Sequence, residues 1–295
     1  MESMEPVFLY PQIKDYICRM IVLGNYNTLK VLRSTRIGLF LGDGEGTEVL
    51  LPNKYVPEDF EIDMDLQVFC YLDSSERPIA TTLTPLITRN SFAFLKVVEV
   101  GAYGAFVDWG LEKHLLVPFR EQQTRMEEGK SYVVHCYLDE ESFRLTGSTR
   151  INKFLSNDGV DFATNAEVDI LIARKSPLGW EAIIGNVHKG LIFDSDVFRP
   201  IAIGDRMKAY IKNVREDNKI DLSLQPIGAK MLEPTARIIL EKLIASNGFL
   251  GLHDKSSPEA IQEALHLSKK AFKKAIGTLY KERKIVIKDD GIYLT

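Results

Sequence analysis

Three blocks of this chain return at one spacing. Gly38-Leu39-Phe40-Leu41 recurs as Gly104-Ala105-Phe106-Val107, Leu50-Leu51-Pro52 as Leu116-Val117-Pro118, and Val68-Phe69-Cys70-Tyr71-Leu72-Asp73 as Val134-His135-Cys136-Tyr137-Leu138-Asp139, each shifted by 66 residues. A single offset across three blocks means a gapless duplication. A weaker third copy lies 75 residues further on: Gly104 maps to Gly179, Leu116-Val117 to Leu191-Ile192, Gly129 to Gly204, Arg144-Leu145 to Lys219-Ile220 and Ser148 to Ser223. The chain is thus one small domain type three times over, followed by a different C-terminal piece. The expected boundaries are 1–19 for an N-terminal extension, 20–84, 85–151 and 152–228 for the repeats, and 229–295 for the last domain. Residues 1–19 lie outside the repeat, as an appendage or upstream of a natural start at Met20.

Each copy reads as β. In the second, Phe94 to Val100 is a strand and Gly101-Ala102-Tyr103-Gly104 a turn. Ala105 to Trp109 alternates, Leu115-Leu116-Val117 is a short buried run, and Glu127-Glu128-Gly129-Lys130 turns the chain. Tyr132 to Leu138 and Phe143 to Ser148 then form a closing hairpin. Short strands with glycine turns in so few residues suit a five-stranded barrel of the OB type. Such barrels bind single-stranded nucleic acid on one face, with aromatics stacked on bases and cations on phosphates.

The order of the glycine-aromatic strand, the Leu-Leu-Val strand, the Gly-Lys turn and the basic residue four before a serine resembles the S-one-type RNA-binding domain of the small ribosomal subunit. The resemblance implies a binding face of two aromatics around the first glycine turn, a histidine after the third strand and a base on the last. Copy two keeps Tyr103, Phe106 and Arg144, with Pro118 at the histidine position. Copy one keeps Phe40, with Ile37 and Pro52 at the other places. Copy three has Leu178, Glu181 and Phe193, and keeps Lys219. For Phe40 and Phe106 a core and a surface role are both open; Tyr103, in a glycine-rich turn, is expected to be exposed. The third copy ends in a hairpin where Tyr210 and Lys212 share a strand face and Arg215 and Lys219 flank the turn. That set suits a groove tracking a strand, or a solvated hairpin.

Residues 229–295 change period. Glu233-Pro234 opens a helix with Ala236, Ile239, Leu240, Leu243 and Ile244 on its apolar face, closed by Asn247-Gly248. Ser257-Pro258-Glu259 opens a second helix, and Ser268 caps a third that runs to about Glu282. Ile285-Val286-Ile287, Asp290-Gly291 and Ile292-Tyr293-Leu294 make a hairpin. Three helices and a terminal hairpin predict a winged helix. At 100° per residue the third helix puts Phe272, Ala275, Ile276 and Leu279 on one side. Lys269, Lys270, Lys273 and Lys274 fall on the other, as a phosphate-facing or merely solvated face. The whole chain carries a net charge of −4, but residues 229–295 hold 12 Lys/Arg against 8 Asp/Glu. The positive charge is therefore concentrated where the helix lies, and phosphate contacts need clustered cations rather than a basic whole.

Taken together, residues 20–295 resemble the bacterial conserved virulence factor B family, in which three S-one-type domains precede a winged helix. The matching stretches include Ala209-Tyr210-Ile211-Lys212, Asp217-Asn218-Lys219-Ile220-Asp221-Leu222-Ser223-Leu224-Gln225, Asp254-Lys255-Ser256-Ser257-Pro258 and Ser268-Lys269-Lys270-Ala271-Phe272-Lys273-Lys274. The resemblance implies an RNA-binding regulator of gene expression and no catalysis.

The chemistry that would contradict this is missing from the sequence. Gly42-Asp43-Gly44-Glu45-Gly46 lacks the Lys-Ser/Thr of a phosphate loop and reads as a hairpin turn. His114, His135, His188, His253 and His266 have no metal-ligand spacing, and Cys18, Cys70 and Cys136 form no Cys-x-x-Cys pair. No cofactor, metal or membrane segment is expected, and the odd cysteine count suits a reducing cytoplasm. The expectation is a mainly β chain with a C-terminal α+β domain that binds single-stranded RNA, with the ribosome or RNA polymerase as further partners. A DNA-binding regulator acting through the winged helix, or a protein scaffold on those machines, remains the alternative. Lysines without Arg, Asn or Gln on the third helix are a poor inventory for reading bases in a duplex.

Overall fold

The computed structural model of the chain describes residues 21–42, 46–226 and 234–295. The expectations about residues 1–19, Met20, Cys18, Asp43-Gly44-Glu45 and Glu233 lie outside the described residues. The chain divides into two compact units, the three barrels and the C-terminal domain.

The first barrel is built from β1 (Tyr26–Thr35), β2 (Gly38–Gly42), β3 (Glu48–Pro52), β4 (Asp65–Leu72) and β5 (Pro78–Thr81), closed in the order β1-β2-β3-β5-β4. The second uses β6 (Ser91–Val100), β7 (Gly104–Val107), β8 (Leu115–Pro118), β9 (Ser131–Leu138) and β10 (Leu145–Ser148), in the order β10-β9-β6-β7-β8. The third is closed from β11 (Glu167–Ser176), β12 (Gly179–Ile184), β13 (His188–Phe193), β14 (Arg206–Val214) and β15 (Ile220–Ser223). In the first and third barrels, closure comes from a parallel pairing of the third and fifth strands.

Two devices recur at the repeat offsets. The register slips between Val31 and Arg33, Val97 and Glu99, and Ile172 and Arg174, so each long first strand carries a bulge at the same place and bends around its barrel. Gly38, Gly104 and Gly179 open the second strands. A Cβ at any of them would collide with the carbonyl oxygen of Leu51, Val117 or Ile192, which is why the repeat begins with glycine.

In the second copy β7 stops at Val107. The Asp108 carboxylate accepts from the Gly110 N–H, turning the chain, and Trp109 leaves the strand to pack against Phe69 and Tyr71 of the first barrel. The closing strand starts at Leu145 rather than Phe143, because Phe143 takes φ 56° in the turn and its N–H bonds the Asp139 carbonyl. The barrels share apolar clusters. Phe69, Tyr71 and Ile87 join the core of the second barrel. Phe92, Val133 and Ile151 of the second copy cluster with Leu171, Ala173 and Ile183 of the third. The boundary near Asn152 is therefore a 3-10 turn, Ile151–Phe154, with Ile151 buried and Phe154 half-buried in the cluster between two barrels, rather than a free linker.

The C-terminal domain consists of α1 (Pro234–Ala245), β16 (Phe249–Leu250), α2 (Pro258–Leu265), α3 (Lys269–Lys281), β17 (Ile285–Lys288) and β18 (Gly291–Leu294). Ser257 and Ser268 cap α2 and α3, each hydroxyl accepting from the N–H three residues on at 3.2 Å. The wing has a third strand beyond the expected hairpin: β16 pairs with β18 through Phe249 and Tyr293. On α1 the buried stripe is Ala236, Ile239 and Leu243. Ile244, expected on that face, is 61% exposed, since one residue past Leu243 turns it about 100° away from the core.

Candidate nucleic-acid interface

The first-strand hairpin tips of the three barrels present Ile37, Tyr103 and Leu178 at equivalent positions, 59%, 79% and 66% exposed. Only the second offers a ring. Beside each tip the second strand carries Phe40, Phe106 or Glu181, facing Arg33, Glu99 or Arg174 across the ladder. These pairs differ in a way that decides what each barrel can stack on. In the first, the Arg33 guanidinium lies over the Phe40 ring at 4.0 Å and is itself held by Glu48. In the third, Arg174 clamps Glu181 with two bonds of 2.7 and 2.9 Å, and Lys189 adds a third at 3.0 Å. In the second, a carboxylate stands where the others have a guanidinium, and no cation covers Phe106 among the described residues.

Tyr103, Phe106 and Arg144 line one groove of about 500 Å³. Its other wall comes from the first barrel, through Tyr71, Leu72, Ser74 and Glu76. Glu76 forms an ion pair with Arg144 across that gap. The groove floor is fixed by Trp109, whose ring meets Phe69 edge-on at 5.8 Å and Tyr71 at 6.1 Å. Lys113 ties the two barrels by donating to the Leu72 and Asp73 carbonyls at 3.1 and 2.7 Å. Burial pushes the Tyr71 phenol up to about 12, so it remains a neutral donor at the groove wall.

The third barrel's hairpin is arranged differently. Tyr210 donates to Glu167 at 3.0 Å, which raises the phenol above its ordinary range. Lys212 pairs with Asp196 at 2.7 Å, Arg215 is bidentate on Asp221 at 2.8 and 2.9 Å, and Lys219 pairs with Asp217 at 2.6 Å. Lys212 sits at a bulge between Ile211 and Asn213 and is exposed, while Tyr210 is half-buried. The four residues lie on one hairpin, each engaged by a neighbouring carboxylate. Asp217 is exposed, so Lys219 can exchange it for a phosphate, whereas Asp196 and Asp221 are largely buried and hold Lys212 and Arg215 more firmly.

On α3, Phe272, Ala275, Ile276 and Leu279 are buried. Lys270, Lys273 and Lys274 are exposed and Lys269 is half-buried. Lys270 and Lys273 have no carboxylate partner among the described residues. These two cations, in the first turns of the helix, oppose its dipole.

The residues that the sequence did not single out are Glu76 and Glu99. Glu76 belongs to a neighbouring module and carries no motif. Glu99 was within reach: lining up the repeats sets it against Arg33 and Arg174. Among the described residues no helix is long and apolar enough to cross a membrane.

Two family profiles fit this arrangement. An S1 domain profile matches residues 23–83, and a profile described as a CvfB-like winged helix domain matches residues 237–294. The uncharacterized protein YitL of Bacillus subtilis is 30% identical over 281 residues, covering 92% of this chain and 93% of its own. Conserved virulence factor B of Staphylococcus epidermidis is 28% identical over 284 residues, covering 93% and 95%. A crystal structure described as a multidomain protein with nucleic acid binding domains, from Streptococcus pneumoniae, aligns over 92% of this chain and 98% of its own at 25% identity, with a TM-score of 0.42.

Proposed function

The chain belongs to the conserved virulence factor B family, and from that premise we propose that it is a cytoplasmic, non-catalytic RNA-binding protein that regulates gene expression after transcription. Its domains are of nucleic-acid-binding type. The observation that carries the single-stranded RNA reading is the groove of the second barrel. It collects an exposed tyrosine, an uncapped phenylalanine and an arginine in one cleft. Two rings on which no other ring or cation lies among the described residues offer what an unpaired base needs, and Arg144 can exchange Glu76 for a phosphate at little cost. The lysine face of α3 supplies sequence-independent phosphate contacts.

The tyrosine among cations of the third hairpin and the basic balance of residues 229–295 rank the third barrel and the winged helix above the second barrel. The ion pairs favour another order, with the second barrel's groove and α3 ahead of the third barrel's Tyr210, Lys212, Arg215 and Lys219. Contact with the ribosome or RNA polymerase fits a regulator of this kind. Titration of the full chain with single-stranded RNA, single-stranded DNA and duplex DNA at two salt concentrations tests the reading. Preference for single-stranded RNA is expected. Tighter binding to the duplex would assign the function to the winged helix as a DNA reader, and binding to none would favour a protein scaffold.

A further inference from the structure

Glu99 has no role in holding the barrel together. It is exposed, and no cation pairs with it among the described residues. It stands opposite Phe106 in the ladder, and both side chains reach the bare backbone of Gly101. A Cβ on Gly101 would lie 3.2 Å from the Phe106 ring and 4.0 Å from a Glu99 carboxylate oxygen. Gly101 is itself pinned by its N–H to the Gly104 carbonyl at 2.9 Å, in the turn that carries Tyr103. The groove therefore has a stacking ring and an acceptor-only group side by side, at the one barrel of three where an arginine does not occupy the place.

A carboxylate in a cleft meant for a polyanion repels phosphate, so its use must lie with the base. We infer that Glu99 selects guanine at this groove. The inference rests on the RNA-binding reading above. A carboxylate offers two acceptor oxygens and no donor. The Watson–Crick edge of guanine presents two adjacent donors, N1–H and the N2 amino group, which match both oxygens. Adenine and cytosine present one amino group beside an acceptor nitrogen, and uracil presents one N–H between two carbonyls. Each of these sets at least one lone pair against the carboxylate. Splayed bases stacked on aromatics are read on that edge in single-stranded RNA. A guanine stacked on Phe106 puts the edge toward Glu99, while Arg144 on the last strand is left for a backbone phosphate.

The test uses the full chain and fluorescence anisotropy with labelled uridine decamers carrying uridine, guanosine or inosine at one central place. Inosine keeps N1–H and lacks the N2 amino group. The wild type should prefer the guanosine strand to the all-uridine strand on the order of tenfold, the usual discrimination of a bidentate base contact, with inosine between. Glu99→Gln has one acceptor and one donor; it should fold normally by circular dichroism and bind the three strands within about twofold of one another. If wild type and Glu99→Gln show the same guanosine-to-uridine ratio, the inference is overturned while the RNA-binding reading stands. If the wild type binds none of the strands, the RNA-binding reading falls and this inference with it. Guanosine monophosphate at the strand's concentration should leave the RNA bound, because it lacks the neighbouring phosphates. Displacement would assign the groove to a free nucleotide and overturn selection within a strand.

Discussion

His135 is 4% exposed, and it lies where the second and third barrels share an apolar cluster. Its ring is 4.5 Å from Phe92 and 3.9 Å from Phe154, centroid to centroid, and its Nδ1 has no hydrogen-bond partner. Burial lowers its pKa from the ordinary 6.5 to about 4. The folded chain thus holds the imidazole neutral where the unfolded chain would protonate it. Stability from this group is present above pH 6.5 and is lost as pH falls from there towards 4, because over that window the unfolded state binds the extra proton. Between pH 7 and pH 5 the two pKa values give a loss of about 2 kcal/mol. The duplication supplies the control substitution, since the equivalent residue of the first copy is the buried Phe69. His135→Phe keeps a ring among rings and removes the titration along with an unpartnered nitrogen. Urea unfolding at pH 7 and pH 5 can be followed by Trp109 and Trp180 fluorescence, one tryptophan in each of the barrels concerned. The wild type should lose about 2 kcal/mol more than the variant over that interval. Carboxylate titrations are common to both proteins and cancel. Equal losses in the two proteins, or a His135 imidazole resonance titrating near 6.5 in the folded chain, would refute the reasoning.

Tyr103→Ala and Phe106→Ala should each weaken single-stranded RNA binding by about 1–3 kcal/mol, the usual range for a stacked base, with an unchanged melting curve; anisotropy titration checks this. Replacing Lys269, Lys270, Lys273 and Lys274 together by Gln should flatten the plot of log affinity against log salt by about 0.7 per lost phosphate contact, equally for every RNA sequence. An unchanged slope would make α3 a solvated face. Gly104→Ala forces a methyl into the Val117 carbonyl and should cost on the order of 2–4 kcal/mol, seen as a lowered thermal midpoint. The same substitution at Gly129, whose added Cβ would meet nothing within 4 Å but whose φ is +80°, should cost less because only backbone strain opposes it.

What could be read from the sequence was whatever one module decides for itself. The glycine before each second strand, the alternation of Ala105, Phe106 and Val107, and the serine caps of α2 and α3 are local signals, and they predict the three barrels and the winged helix. The placement of Tyr103 at an exposed tip also follows from its glycine-rich turn. Decisions made between modules were illegible. Trp109 looks like a strand residue because its partners, Phe69 and Tyr71, lie in another copy. The first strand of copy two begins at Ser91 rather than Phe94, because Phe92 is buried against Leu171 and Ile183 of the next barrel. The cations of the third hairpin read as available because nothing in their spacing reveals that Asp196, Asp217 and Asp221 hold them. Ile244 fails for a smaller reason: an apolar residue at the edge of a helical stripe is sorted by a single step of rotation.

The groove that joins Tyr103 and Phe106 to Glu76 exists in neither of the modules that wall it. It comes into being only when two copies of the duplicated unit are docked, so anything bound there is linked to the docking equilibrium. By mass action, a strand present at about 100 times its Kd stabilises the docked pair by about 2.7 kcal/mol over the separated one. The converse holds with equal force. Loosening the Trp109 contact with Phe69 and Tyr71 weakens binding without touching a residue that meets the ligand. The duplication thus produced more than a second copy of a binding face. On the proposed reading, recognition becomes a property of the pair, in which a bound strand would act as a clamp between two halves of its own site.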